Sequence, residues 1–172
     1  FANFVKLANQ QGWDLTTRQG SYAGAMGMGQ FMPSSYLAYA VDFDGDGYKD
    51  LFSDPADAIG SVANYFNKHG WQMGEPVVEA AQITNPAALS YVKDRVELKQ
   101  QWIQLKQAGI KTTKPLAAST PVSLIQLAQP DYSEYWVARQ NFYVITRYNK
   151  SPLYAMAVHD LSQSLAKQYY GH

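Results

Sequence analysis

The 172-residue chain has no cysteine, which excludes disulfides, thiolate metal sites and a cysteine nucleophile and leaves its redox compartment open. It also has no net charge, with 14 Lys and Arg against 14 Asp and Glu, so no global field favours nucleic acid or an anionic membrane surface. Apolar runs stay far below the roughly 18 residues of a membrane-spanning helix, and no signal-peptide pattern is present. Repeats and low-complexity linkers are absent as well. An initiating Met is missing: the chain opens on "FANFVKLANQQGW", where Phe1, Phe4, Val5 and Ala8 already keep helical spacing. The expectation is a processed or truncated product that begins inside a helix.

What is present can build a core. The apolar fraction is 47%, enough for one sizeable domain or a main domain with a small satellite. The segment "RQGSYAGAMGMGQFMPSS" is a small-residue turn whose glycines permit close approach of backbone or ligand. It lacks the GK[ST] or GxGxxG pattern of a phosphate cradle. A short helix is expected over 33–40. A longer one follows in "SDPADAIGSVANYFNKHGW", with Asp54 as N-cap, Pro55 at N1, Ile59, Val62 and Phe66 on one face, and Gly70 at the end. From residue 73 to about 139 the texture becomes β-leaning around one helix-like stretch, "ELKQQWIQLKQAGI". The last thirty or so residues, from Asn141, read as helix, break and helix, with Ser151 and Pro152 opening the final one and Ala155, Val158, Leu161 and Leu165 as its stripe. The fold class expected is mainly α, in the α+β sense, with a small sheet inserted between helical halves.

The most pointed chemistry lies in "DFDGDGYKDLFSD". Six acids, Asp42, Asp44, Asp46, Asp50, Asp54 and Asp57, fall in sixteen residues with a single base, Lys49. Asp42, Asp44 and Asp46 match positions 1, 3 and 5 of an EF-hand loop, Gly47 position 6, the Tyr48 carbonyl position 7 and Asp50 position 9. Position 12, where a chelating Glu belongs, is Ser53. The substitute should come from the first turn of the next helix. Asp54 is committed there as N-cap, so Asp57 is the expected ligand, in a loop 42–57 holding structural Ca2+. Asp50 and Asp54 are weaker candidates, and the alternative is an acidic turn before a capped helix with no metal. One such loop does not make a sensor, since sensors pair them; its expected role is to brace the loop and orient the helix. No organic cofactor is indicated. His69, His159 and His172 are not spaced as metal ligands, and His69 is expected to serve the helix end.

Taken together, "GSYAGAMGMGQFMPSSYLAYAVDFDGDG", "DPADAIGSVANYFNKHGW" and "NFYVITRYNKSPLYAMAV" resemble the lytic murein transglycosylases of the membrane-bound B type. The resemblance implies a lysozyme-like α domain formed by residues 1–72 and 132–172, with a small α+β insertion at 73–131. It implies peptidoglycan strands as partner and the periplasm or cell envelope as location; a lipid anchor is not visible. The implied reaction is cleavage of the MurNAc–GlcNAc β-1,4 bond without water, the muramoyl 6-hydroxyl attacking its own anomeric carbon. An internal nucleophile removes the need for a second carboxylate, so one Glu can act as acid and then base. Carried over by motif, Ser21, Gln30, Tyr65, Tyr148, Asn149 and Tyr154 would contact sugar, the tyrosines offering an apolar face and a hydroxyl. Core packing is the competing role for Tyr65 and Tyr154.

The resemblance also implies a catalytic Glu before "SYAGAMG", and none of the first twenty residues is Glu. That Glu is expected upstream of Phe1, in a missing N-terminal part that would be a further partner. The four glutamates present, Glu75, Glu79, Glu97 and Glu134, match no motif, and a surface position is the ordinary expectation for each. Asp14 is expected to cap a turn. The expectation is therefore a fragment without turnover of its own. The alternatives are a non-catalytic peptidoglycan-binding module and a hydrolytic muramidase.

Overall fold

The structure, a computed structural model, describes residues 1–171; His172 lies outside them. The chain divides into two compact units, Phe1–His69 and Gly70–His172.

The first unit is helical. Helix α1 (Ala2–Gln11) buries Leu7 and Ala8 and stops at Gly12, whose left-handed φ of 65° lets its N–H reach back into the last turn. Phe1, expected on the buried stripe, is exposed instead: the helix starts at Ala2, so Phe1 occupies the N-cap and leaves the helical face. Helix α2 (Pro33–Tyr39) opens on its proline and buries Tyr36. Helix α3 (Pro55–Lys68) is capped by Asp54, whose Oδ1 accepts the Ala56 N–H at 2.6 Å and the Asp57 N–H at 3.3 Å. Its inward face is not the expected one. Ile59 is 71% exposed and Val62 and Phe66 are only half-buried, whereas Asp57, Ala58, Gly60, Ser61 and Tyr65 point inward. The reason is the acidic loop before it, whose Phe43 ring lies against Gly60 so closely that a Cβ there would fall 2.5 Å from the ring. The small, polar side of α3 therefore faces the loop, and its apolar stripe lines a shallow cavity of about 460 Å3 with Met28 and Pro55.

The second unit is an antiparallel sheet with helices. Strands β1 (Val78–Ile83), β2 (Gln100–Gln101), β3 (Ile110–Thr112), β4 (Pro121–Ala128) and β5 (Ser133–Ala138) lie in the order β2-β4-β5-β1-β3. β4 is buried on both faces from Val122 to Ile125, as a strand inside a sheet should be. Leu124 lies opposite Val137, and with Trp102, Leu105, Ile110 and Val122 they form the core. The helix expected over 97–110 shrinks to α4 (Trp102–Gln107). Gln100 and Gln101 pair with Val122 and Pro121, a capping box between Gln101 and Gln104 starts the helix, and Gly109 at φ 98° ends it. β5 lies past residue 131, so the sheet extends through the β-leaning texture to Ala138.

Helices α5 (Gln140–Tyr148) and α6 (Pro152–Tyr170) close the chain on either side of the expected break. Ser151 Oγ accepts the Tyr154 N–H at 3.3 Å, as an N-cap should. α6 buries Ala155 and Met156, but Leu161 and Leu165 of the expected stripe are exposed because the helix runs on beyond the sheet it contacts. Among the described residues no helix is long and apolar enough to cross a membrane.

Candidate functional site

The acidic loop is wired by its own carboxylates. Asp42 accepts the Gly45 N–H at 2.7 Å and the Gly47 N–H at 2.9 Å, Asp44 accepts from Asp46 at 3.1 Å, and Asp46 from Tyr48 at 2.8 Å. Gly45 and Gly47 have φ of 82° and 94°, the left-handed turns this path requires. Asp57 is 1% exposed and reaches back from α3, its Oδ1 accepting the Phe43 N–H at 2.6 Å and its Oδ2 the Asp50 N–H at 2.7 Å. Oxygens of Asp42, Asp44 and Asp57 lie within 4.8 Å of one another. Asp50 and Asp54 are occupied elsewhere: Asp50 Oδ1 accepts the N–H groups of Phe52 and Ser53 at 2.8 and 3.0 Å, and Asp54 caps α3.

Electrostatics separates these groups. Asp44 accepts the Asp46 N–H, which stabilises its charge, yet desolvation and repulsion from Asp46, Asp54 and Asp57 leave its carboxyl above the ordinary range. Asp50 is opposed by burial, but the N–H groups of Phe52 and Ser53, the Ser53 hydroxyl and the charge of Arg18 hold it below that range. Arg18 lies against both Trp13 and Phe52, 4.8 and 4.9 Å from the ring centroids, beside their edge-to-face contact. Asp14 caps a turn as expected, accepting the N–H and hydroxyl of Thr16, which depress its carboxyl.

The turn over 20–31 carries two of the expected sugar contacts. Gly20, Met26 and Phe31 are joined by antiparallel bridges, and Met28 donates its N–H to Leu51 at 2.7 Å. Gly27, at φ 68°, lies so close that a Cβ would collide with the Leu51 carbonyl. Ser21 is exposed, its Oγ accepting the Ala25 N–H at 3.1 Å. Gln30 is exposed at φ 49°, and among the described residues it alone has a positive φ without being glycine. Both its N–H and its Nε2 donate to the Gly27 carbonyl, at 3.1 and 3.0 Å. Sequence reasoning missed Tyr22, fully exposed beside Ser21, although an aromatic between two expected sugar contacts is itself a signal. Tyr65 is 8% exposed, set against Phe31 and Tyr39 and stacked on His69 at 3.9 Å, so its ring face serves the core. His69 serves the helix end as expected, with Nδ1 2.7 Å from the Tyr65 carbonyl.

In the second unit Tyr148, Asn149 and Tyr154 surround the break between α5 and α6. Asn149 Oδ1 accepts the Ser151 N–H at 3.0 Å, which fixes the break; Tyr148 is half-buried and Tyr154 exposed. Three of the four glutamates are engaged by side chains. Glu75 pairs with Arg139 at 2.7 Å, Glu97 with Lys99 at 2.8 Å, and Glu134 accepts from Trp136 Nε1 at 3.2 Å and the Tyr132 hydroxyl at 3.3 Å. The Lys99 ammonium holds Glu97 below the ordinary carboxyl range, the reverse of what a general acid needs. Glu79 corrects the surface expectation: opposite Val137 in the sheet, it is 6% exposed.

With this geometry in place, the comparisons with known proteins are consistent. The profile of the family described as "Transglycosylase SLT domain" matches residues 1–163. The membrane-bound lytic murein transglycosylase B of Escherichia coli K12 is 46% identical over 163 residues, covering 95% of this chain and 44% of that protein. Catenated lytic transglycosylase SltB1 of Pseudomonas aeruginosa has a similar structure, with a TM-score of 0.92 at 49% identity, covering 96% of this chain and 55% of that one. E. coli lytic transglycosylase Slt35, solved in complex with calcium, gives 0.85 at 46% identity and covers 95% and 51%. P. aeruginosa SltB3, solved with NAG-NAM-pentapeptide, gives 0.76 at 31% and covers 91% and 42%. The chain thus spans about half the length of the relatives it matches.

Proposed function

The chain belongs to the transglycosylase SLT domain family, and from that premise we propose that it supplies glycan-binding surfaces of a peptidoglycan lytic transglycosylase. The observation that carries this reading is the family match over residues 1–163. In the proposed roles Ser21 and Gln30 hydrogen-bond sugar from the turn of the first unit, with Tyr65 contributing an edge and Tyr22 a face. Tyr148, Asn149 and Tyr154 do the same from the α5–α6 break, the tyrosines by stacking on pyranose and Asn149 by its amide. In this reading the cell envelope is the location.

The acid that protonates the leaving oxygen, and then takes the proton of the muramoyl 6-hydroxyl, is placed in none of these 172 residues. Glu75, Glu97 and Glu134 are paired or hydrogen-bonded, and Glu79 is buried in a strand. The chain alone then binds glycan without turning it over. A hard cation suits the acidic loop: three carboxylates converge, a left-handed Gly47 follows, and a related enzyme was solved with calcium. We assign Ca2+ to Asp42, Asp44, Asp46, the Tyr48 carbonyl and Asp57 in an EF-hand-like arrangement, with Asp50 and Asp54 outside the set. The ion would neutralise repulsion at Asp44 and brace the loop against α3.

The test is titration of a GlcNAc–MurNAc disaccharide into the chain, followed by Tyr fluorescence or calorimetry. Saturable binding, weakened about tenfold or more in Asn149→Ala and Tyr154→Ala, supports the reading. An equal and unsaturated signal for all three proteins defeats it.

A further inference from the structure

Outside these residues, the second unit holds a cavity of about 550 Å3 between the segment 95–99 and one face of α5. Arg95, Lys99, Arg147 and Lys150 line it, with Glu97 as the acid. Glu97 is paired with Lys99, so the charge of Arg95 and Lys150 is what remains beside that pair. Arg147 is positioned by its own structure, its guanidinium 4.3 Å over the Tyr143 ring. Arg95 and Lys150 have no hydrogen bond or ion pair among the described residues. A neutral chain that gathers cations from two separate segments around one concavity concentrates positive potential there. Relief of the helix dipole would account for Arg147 and Lys150 near the end of α5, but not for Arg95 and Lys99 arriving from another segment.

The partner chemistry follows from position. Arg147 and Lys150 flank in sequence Tyr148 and Asn149, the residues given to sugar above, so the cavity begins next to that junction. The ligand solved with P. aeruginosa SltB3 carries a pentapeptide on its sugar, and peptide carboxylates are what a wide basic concavity recognises. We infer that the cavity formed by Arg95, Lys99, Arg147 and Lys150 binds carboxylates of a peptide attached to the glycan. Arg95 and Lys150 supply the unpaired charge. This inference rests on the glycan reading of the chain, and it gives the chain a preference for peptide-bearing over bare glycan.

The experiment compares two probes on the full chain, GlcNAc–MurNAc with its lactyl carboxylate capped as an amide, here the bare disaccharide, and GlcNAc–MurNAc-pentapeptide, by calorimetry at low and high salt. The expected result is binding about tenfold tighter for the peptide-bearing probe, with the advantage lost at high salt and in a probe whose carboxylates are amidated. Arg95→Ala with Lys150→Ala should remove most of the advantage while leaving the bare disaccharide's Kd unchanged, and Lys150→Glu should remove it more fully. Unchanged affinity for the bare probe also verifies that the variants fold. Equal affinity for both probes, or equal weakening of both by the variants, overturns the inference and leaves the glycan reading standing. Binding of neither probe overturns both.

Discussion

At the scale of the residue, Asp57 and Gln30 decide most. Asp57 was legible because helix grammar separates it from Asp54: the N-cap oxygen is committed to the first turn, whereas the N3 side chain is free to face the loop. The structure adds that it accepts two N–H groups from that loop, at Phe43 and Asp50. Asp57→Ala should therefore cost about 2–4 kcal/mol without any metal, because two donors lose a partner. It should also abolish the calcium-induced rise in melting temperature expected of the parent chain, worth about 2.7 kcal/mol at calcium a hundredfold above Kd. A parent melting curve indifferent to calcium refutes the metal assignment. Gln30 was legible as a motif residue, but its left-handed backbone was not, since no sequence pattern requires φ 49° of a glutamine. Gln30→Gly should stabilise the chain by roughly 0.5–1 kcal/mol by relieving that conformation, while weakening sugar binding. Loss of stability would show that the backbone is not strained there.

At the scale of the element, helix existence was readable and helix facing was not. Pro55 after Asp54, Pro152 after Ser151 and Gly109 after α4 each mark a terminus by local backbone chemistry. Which side of α3 turns inward depends on the loop that packs on it, and that loop is long-range information relative to the helix. Gly60 is where this shows: with Phe43 against its Cα, Gly60→Ala must displace the ring and loosen the loop carrying Asp42 and Asp44. The expected effect is a lower melting temperature and weaker calcium binding, despite the better helix propensity of Ala. Unchanged calcium affinity in Gly60→Ala would separate the loop from the helix. Strand β2 was hidden for a related reason, since two glutamines carry no β signal and pair only because β4 is beside them.

At the scale of the whole molecule, the chain is two compact units, each carrying aromatic and amide side chains given to glycan in the reading above, and three of its four glutamates are paired or hydrogen-bonded. Composition excluded thiol chemistry and charge-driven nucleic-acid binding, and motif order pointed to the family. What composition could not reveal was the basic cavity, because Arg95 and Lys99 meet α5 only through the fold. The claim that the chain binds peptidoglycan without cleaving it is tested most directly by incubating it with purified murein sacculi. Sedimentation measures binding, and chromatography of the supernatant measures products. The account predicts that the chain sediments with sacculi and releases neither 1,6-anhydro nor reducing-end muropeptides. Release of either product by the 172-residue chain, or its failure to sediment, would contradict the account.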